Sequence, residues 1–386
     1  MNTASDSGQS DATETISRLL VVMPTWLGDC VMATPALRAI RAAHPQAHIA
    51  VLVKRNLRSI LEGCPWIDRI LTVRPKQKSK GDDKPKKHNK KGQRGWRLAR
   101  RLAAGNFDTA ILLPNSFRSA LMVRMSGIKR RIGYDRDGRG GLLTDRLLAR
   151  RTAEGYVPMP TIDYYLGLAS YVGAEHPSRK MELFSRPQHD NKARELLSQF
   201  GIDAKTDEKR VPFVLLNPGC NFGAAKRWFS ERFAAVGDMC VEKYGAKVAV
   251  SGAPNERPIL DAVVKAAKHP VIDLPSLGID LATLKSVIGQ ADVMVTNDTG
   301  PRHIAAAMGV PVVTAFGPTD PVWSEIDFVD ERQVYVDVYC RPCQKKKCPL
   351  VGTDDDHQCM HKLTAEMVFE QVDDLLQSVA KAGPVE

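Results

Sequence analysis

Apolar residues along this chain fall into short runs, each followed by a loop and then a stretch of helical spacing, which is the grammar of a parallel α/β protein. The clearest instance covers residues 291–321, ADVMVTNDTGPRHIAAAMGVPVVTAFGPTDP. Residues 293–296 read as a buried strand, Pro301 suits a first helical turn, Gly309 with Pro311 ends the helix, and 312–316 read as a second strand. Between strand and helix lies a polar run from Asp298 through Thr299 and Gly300 to His303. In parallel α/β sheets ligands collect beyond the carboxyl ends of strands, where free helix N–H groups and the helix dipole favour phosphates. A helix cap would account for Asp298 or Thr299 alone. The whole run reads as a site.

The same grammar occurs twice. Residues 18–23 (RLLVVM) form a strand that enters PTWLGD and a helix over 31–43, and further strands are predicted at 47–53, 67–73 and 109–113. The pattern lapses between about 178 and 209, around one helical segment at 191–200. It restarts with strands at 211–216, 247–251 and 271–274, and helices from about 230, at 258–268 and at 281–288. Two Rossmann-like domains facing across a cleft, at 18–190 and 205–362, explain this order. Residues 1–17 read as a disordered tail, and 363–386 hold an amphipathic helix long enough to pack across the domain junction.

With 386 residues, 43% of them hydrophobic, the chain can bury a core large enough for two domains. No apolar run nears the roughly 20 residues that span a bilayer, and 1–17 lacks the apolar core of a signal peptide, so a cytoplasmic protein is expected. Eight cysteines at this length argue against a disulfide scaffold. The net charge of +11 adds an acidic partner to the picture: nucleic acid, an anionic membrane or a phosphorylated substrate. Lysines and arginines crowd residues 74–101, and the segment 76–95 has almost no apolar side chain. It is expected to be a mobile basic insertion, either a solvated loop or a ligand-facing arm.

Three further features can carry chemistry. Asp29 follows Gly28 where the first helix should begin, so it is either a helix cap or a carboxylate displayed at the edge of the sheet; a helix N-terminus should lower its pKa from about 3.9. In the second half, Gly219, Gly223, Ala224 and Ala225 leave backbone N–H groups open, with Lys226 and Arg227 following, which suits either a phosphate cradle or a surface pair. The Walker spacing and the G-x-G-x-x-G fingerprint are both missing, which disfavours ATP hydrolysis and NAD chemistry. Glu256 stands where nucleotide folds place a ribose-binding acid. Cys340, Cys343, Cys348 and Cys359 are spaced C-x2-C-x4-C-x10-C near His357 and His361, as a structural zinc site or as free thiols.

Taken together, PTWLGDCVMATPALRAI, LLPNSFRSALMVRMSGIKRRIGYDRDGRGGLLTDR, LLNPGCNFGAAKRW and VTNDTGPRHIAAAMGVPVVTAFGPTDP resemble the ADP-heptose:lipopolysaccharide heptosyltransferases of glycosyltransferase family 9, nearest to its heptosyltransferase II branch. The likeness runs from about Arg18 to the last helix and includes CRPCQKKKCPL; the polar tail and the long basic insertion depart from it. It implies a GT-B fold, with an acceptor domain followed by a donor domain, and an inverting, metal-independent transfer that needs no cofactor beyond ADP-heptose as donor. It also implies that Asp29 is the general base, Lys226 meets the diphosphate, Glu256 the ribose, and Asp298, Thr299, Gly300 and His303 the phosphate and sugar. Asn115, Ser116, Arg118, Arg136 and Arg139 are candidates for the lipopolysaccharide inner-core acceptor. The basic insertion would hold the enzyme at the anionic inner leaflet, peripheral to the membrane. Two alternatives stay open: a family member with a different acceptor, and a basic nucleic-acid-binding protein with a Cys-rich zinc loop.

Overall fold

Two polar residues in equivalent places set the registers of two sheets. Asp108 accepts from the backbone N–H of Arg18 at 2.8 Å and of Ser17 at 3.0 Å, and Asp292 accepts from Phe213 N–H at 2.7 Å. Each aspartate precedes the fourth strand of its sheet and ties down the start of the first. The amino ends of both sheets are thus closed by side chains, and the carboxyl ends are left for loops.

The computed structural model describes residues 15–73, 90–153, 155–203, 211–220 and 223–382. The chain divides into two compact units, Met1–Arg179 and Lys180–Glu386. In chain order the first holds β1 (Arg18–Val22), α1 (Leu27–Met32), α2 (Thr34–Ala43), β2 (His48–Lys54), α3 (Arg58–Leu61), β3 (Arg69–Val73), α4 (Lys90–Ala103), β4 (Thr109–Leu112), α5 (Phe117–Met125), β5 (Arg130–Tyr134), β6 (Asp145–Leu147), the short pair β7 (Arg151–Thr152) and β8 (Gly155–Tyr156), and α6 (Thr161–Tyr171). The second holds α7 (Pro187–Ser198), β9 (Phe213–Asn217), α8 (Ser230–Tyr244), β10 (Lys247–Val250), α9 (Arg257–Ala266), β11 (Val271–Asp273), α10 (Leu281–Gly289), β12 (Val293–Asn297), α11 (Gly300–Ala307), β13 (Val312–Ala315), β14 (Glu331–Val334), α12 (Gln358–His361) and α13 (Ala365–Ala382).

Both sheets have six strands in the same permuted order, β3-β2-β1-β4-β5-β6 and β11-β10-β9-β12-β13-β14, and every pairing within them is parallel. This is the doubly wound Rossmann order, whose ligand crevice opens where the winding reverses, between the first and fourth strands. β1 and β9 are central and covered on both faces, so Leu19 to Val21 and Phe213 to Leu216 are fully buried and read as unbroken apolar runs. Truncating Leu20 or Leu215 to alanine would cost about 2–5 kcal/mol.

Several expectations change. The helix predicted over 31–43 is two helices, broken at Ala33, with Pro35 in the first turn of α2. The tail expected over 1–17 lies mostly outside the described residues, but its end does not: Ile16 is buried and Ser17 is bonded to Asp108. Of the basic insertion 76–95, residues 76–89 lie outside the described residues, while from Lys90 the chain is helical, where a loop was expected. α13 buries Val368, Val372, Leu375 and Leu376 in the core of the second unit, alongside Trp228 and Phe233. No helix among the described residues is long and apolar enough to cross a membrane.

Candidate functional site

In the first unit the switch point lies between the ends of β1 and β4. After β1 the chain turns through Pro24 and Thr25, held by the Lys54 ammonium on Thr25 O at 2.8 Å and the Cys30 thiol on Pro24 O at 3.2 Å. Trp26, 62% exposed, occupies the cap position of α1 without a side-chain cap bond, so Asp29 is not the cap. It is an acid within the first turn, half-buried, and no hydrogen bond or ion pair reaches its carboxylate among the described residues. Burial raises its pKa, against the lowering expected from a helix N-terminus alone: no donor offsets the loss of water. Its charge is felt by buried neighbours. The Cys30 thiol is pushed up to about 12 by burial and then by Asp29, and the Tyr165 phenol is raised for the same two reasons.

After β4 comes a tight polar knot. Asn115 Oδ1 accepts from Tyr164 Oη at 2.8 Å and from Arg139 Nη2 at 3.2 Å. Arg139 also donates to Tyr134 O at 3.0 Å and to Pro114 O. Tyr134 and Tyr164 stack at 3.9 Å between ring centroids. Arg139, expected on the acceptor, is therefore corrected: it is fully buried with its guanidinium committed to the protein, and it positions the β4 loop. The Arg136 guanidinium carbon lies 3.8 Å from the Tyr156 ring centroid, with its Nε buried and unpartnered among the described residues. Ser116 and Arg118 are exposed at the start of α5.

In the second unit the loops after β9 and β12 are joined. The Lys226 ammonium meets Asp298 Oδ2 at 2.5 Å, with the two side chains only 11% and 10% exposed. Asp298 also accepts from Thr319 at 2.9 Å, from Ser324 at 3.3 Å and from Arg302 at 3.4 Å. Burial alone would raise its pKa, but Lys226 and Arg302 hold the carboxyl well below the usual range. Arg302 is fully buried and bidentate on Glu331, at 2.5 and 2.7 Å. The buried charges are thus paired, as burial demands. Asn297 fastens the β9 loop by accepting from Trp228 N–H at 3.0 Å and donating to Pro218 O at 2.8 Å.

Thr299 is the cap residue of α11 and makes no side-chain cap bond, so the polar run is not explained by capping. His303, in the first turns of that helix, is buried; its imidazole is pushed down to about 3 by burial and by Arg302, and it is neutral at physiological pH. Its Nδ1 is buried without a partner among the described residues, an orphan that a ligand would satisfy. Glu256 is buried beyond β10 and accepts from Ala253 N–H at 2.7 Å. A Cβ on Gly219 would lie 2.4 Å from the Glu256 carboxylate, so glycine there lets the acid reach the β9 loop. The cradle is less open than expected: Ala225 N–H is taken by Lys346 O at 3.2 Å, and residues 221–222 lie outside the described residues.

The four candidate zinc ligands do not assemble as a set. Cys340, Cys343 and Cys348 are half-buried and Cys359 is buried, all as free thiols. They are near enough that the other three, after burial, contribute to raising the Cys359 thiol to about 11. The atoms within 4.8 Å of one another belong instead to Cys348, Asp356 and His357. Asn297, Arg302, Thr319, Ser324 and Glu331 were missed as parts of the network that joins the β9 and β12 loops. Asn297 borders the polar run and Arg302 lies inside it; Thr319, Ser324 and Glu331 are distant in sequence and carry no local signal.

Residues 95–353 match the sequence profile of glycosyltransferase family 9 (heptosyltransferase). The chain is 27% identical over 320 residues to lipooligosaccharide heptosyltransferase 2 of Haemophilus ducreyi, covering 80% of this chain and 85% of that protein. It is 28% identical over 316 residues to lipopolysaccharide heptosyltransferase 2 of Escherichia coli, covering 79% and 84%. Among solved structures, the ADP-heptose lipopolysaccharide heptosyltransferase II of E. coli superposes with a TM-score of 0.74 at 23% identity, covering 94% of this chain and 99% of that one. A family 9 glycosyltransferase from Veillonella parvula gives 0.78 at 22% identity, covering 95% and 100%. The two parallel sheets are those of the GT-B fold, and the chain belongs to glycosyltransferase family 9, the heptosyltransferases.

Proposed function

We propose that the protein transfers heptose from ADP-heptose to the inner core of lipopolysaccharide, as a heptosyltransferase of type II. The observation that carries this reading is the Lys226–Asp298 ion pair across the β9/β12 switch point, with the unpartnered His303 Nδ1 in the helix that follows. A nucleoside diphosphate fits this arrangement. Lys226, held in place by Asp298, and the open N-terminus of α11 meet the diphosphate; Glu256, reaching past Gly219, accepts ribose hydroxyls; Thr299, Gly300 and the neutral His303 bond the phosphate and sugar.

Acceptor chemistry falls to the first unit. Asp29 takes the proton of an acceptor hydroxyl as that oxygen forms its bond to the anomeric carbon. The bond from that carbon to the β-phosphate oxygen breaks, ADP departs, and the configuration inverts. A carboxylate with a raised pKa and no internal partner is suited to this, and such a base supplies about 10²–10⁴ in rate. Charge on the departing ADP is met by Lys226 and the α11 N-terminus, so the transfer needs no metal. Arg118 and Arg136, with Asn115 and Ser116 on the same β4 edge, suit the anionic inner-core acceptor. The net charge of +11 supports a peripheral place at the anionic inner leaflet, at about 1 kcal/mol per basic residue near the surface.

A donor-by-acceptor panel tests this: purified protein, ADP-heptose and other nucleotide sugars, against inner-core lipids bearing one heptose or none. Transfer from ADP-heptose to the lipid with one heptose is the expected result. Transfer only to the heptose-free lipid would reassign the acceptor, and no transfer from ADP-heptose to either would refute the reading.

A further inference from the structure

From Tyr335 to His357 the second unit has neither helix nor strand, well beyond the roughly 12–15 residues at which structureless connections become uncommon in compact domains. Apolar contact holds only its start, where Val336 and Val338 pack on the core; further along, Tyr339 and Val351 are 75% and 64% exposed. What converges in it is ligand chemistry. Cys348, Asp356 and His357 each offer a ligand atom, and all three lie within 4.8 Å of one another. The Asp356 carboxylate is bonded to His357 Nδ1, the contact by which a carboxylate orients a metal-bound imidazole. The backbone N–H of His357 donates to Cys348 Sγ at 3.4 Å, and Gln358 Nε2 to Cys340 Sγ at 4.0 Å. His357 adopts φ 44°, a left-handed conformation that costs a non-glycine residue energy and that the surroundings must impose.

We infer that this loop binds one divalent cation of the zinc type, through Cys348 and His357, with Asp356 orienting the imidazole. Thiolate and imidazole ligands suit zinc or ferrous iron and disfavour magnesium or calcium. The site lies against the donor loops. Lys346, between Cys343 and Cys348, accepts from Ala225 N–H at 3.2 Å, and a Cβ on Gly223 would lie 2.3 Å from that same carbonyl. Gln344 N–H donates to Pro318 O at 2.8 Å, and Arg341 Nε to Gly317 O at 3.0 Å. Those two segments carry Lys226 and Thr319, which both bond Asp298. The cation touches no substrate. It fixes the loop that fixes the Lys226–Asp298 pair, and this second step rests on the donor reading given above.

The test is metal analysis of the full chain purified without a histidine tag. Wild type is expected to carry about one zinc or iron per chain, the analysis itself distinguishing the two, and to give thiolate-to-metal absorption after cobalt exchange. Cys348→Ser and His357→Ala are expected to retain less than about a tenth of that metal with unchanged circular dichroism, whereas Cys64→Ser in the first unit retains it all. Wild type with neither stoichiometric metal nor a cobalt–thiolate spectrum overturns the site, whatever the variants do. Calorimetry with ADP tests the second step: metal-depleted protein should bind ADP roughly tenfold more weakly and recover with added zinc. Equal ADP affinity with and without metal overturns the positioning role. Failure of ADP to bind either form counts against the donor site, and the metal content still decides the cation.

Discussion

The two sheets share one strand order, yet their switch points are built in opposite ways. In the second unit the loops after β9 and β12 are joined by Lys226 and Asp298, and the charges around them are neutralised by Arg302, Glu331 and a shell of hydroxyls. In the first unit the loop after β1 displays Asp29 with no partner for its carboxylate among the described residues, while the β4 loop is locked separately by Arg139 and Tyr164 on Asn115. The two aspartates shift in opposite directions: partners hold Asp298 down, and burial lifts Asp29. A carboxylate whose lone pairs are all engaged organises its surroundings; one left without donors is ready to take a proton. Environments that push two acids apart in this way separate their roles.

The largest expected effect falls on the unpartnered acid. Asp29→Asn should lower turnover by about 10²–10⁴, and the acid limb of the wild-type pH profile should lie above the ordinary carboxylate value of about 3.9. Loss of a base appears as pH falls through its pKa, so activity should fade on the acid side; a profile flat down to the ordinary value would remove the raised pKa from the picture. Next comes the saturated network. Arg302→Leu leaves Glu331 buried without its partner and should destabilise the protein by about 3–5 kcal/mol in denaturant melts, with a cost below about 1 kcal/mol arguing that the pair is solvated. Lys226→Ala should weaken ADP binding roughly 10- to 100-fold by calorimetry.

The smallest effect concerns His303, whose pKa is about 3 when folded and about 6.5 when unfolded. Between those values the unfolded chain binds the extra proton, so stability is intact above about 6.5 and declines as pH falls, by about 2 kcal/mol at pH 5. His303→Asn should flatten that slope in thermal melts at pH 7 and pH 5; an equally steep slope would mean that another group carries it.

Central elements were legible in the sequence because both faces of β1, β9 and β12 are buried, which forces continuous apolar runs between turn signals. β5, β6 and β14 were not: Arg130–Tyr134, Asp145–Leu147 and Glu331–Val334 lie towards the sheet edges, where charged side chains are tolerated and the apolar run disappears. The loops bearing Asp29, Lys226 and Asp298 stood out because polar residues follow buried strands. Their pairing did not, since the Lys226–Asp298 contact spans 72 positions and depends on β9 lying beside β12. The direction of the Asp29 shift was also hidden. Position at a helix start is visible in a sequence, whereas the absence of a donor is visible only in three dimensions.

The proposed division between a proton-taking unit and a donor-binding unit is tested most directly by measuring two quantities on one preparation of Asp29→Asn: ADP affinity by calorimetry and heptose transfer by product assay. A general base in the first unit requires unchanged ADP affinity with turnover lowered at least about 100-fold. Wild-type turnover, or ADP affinity lost together with turnover, would contradict it.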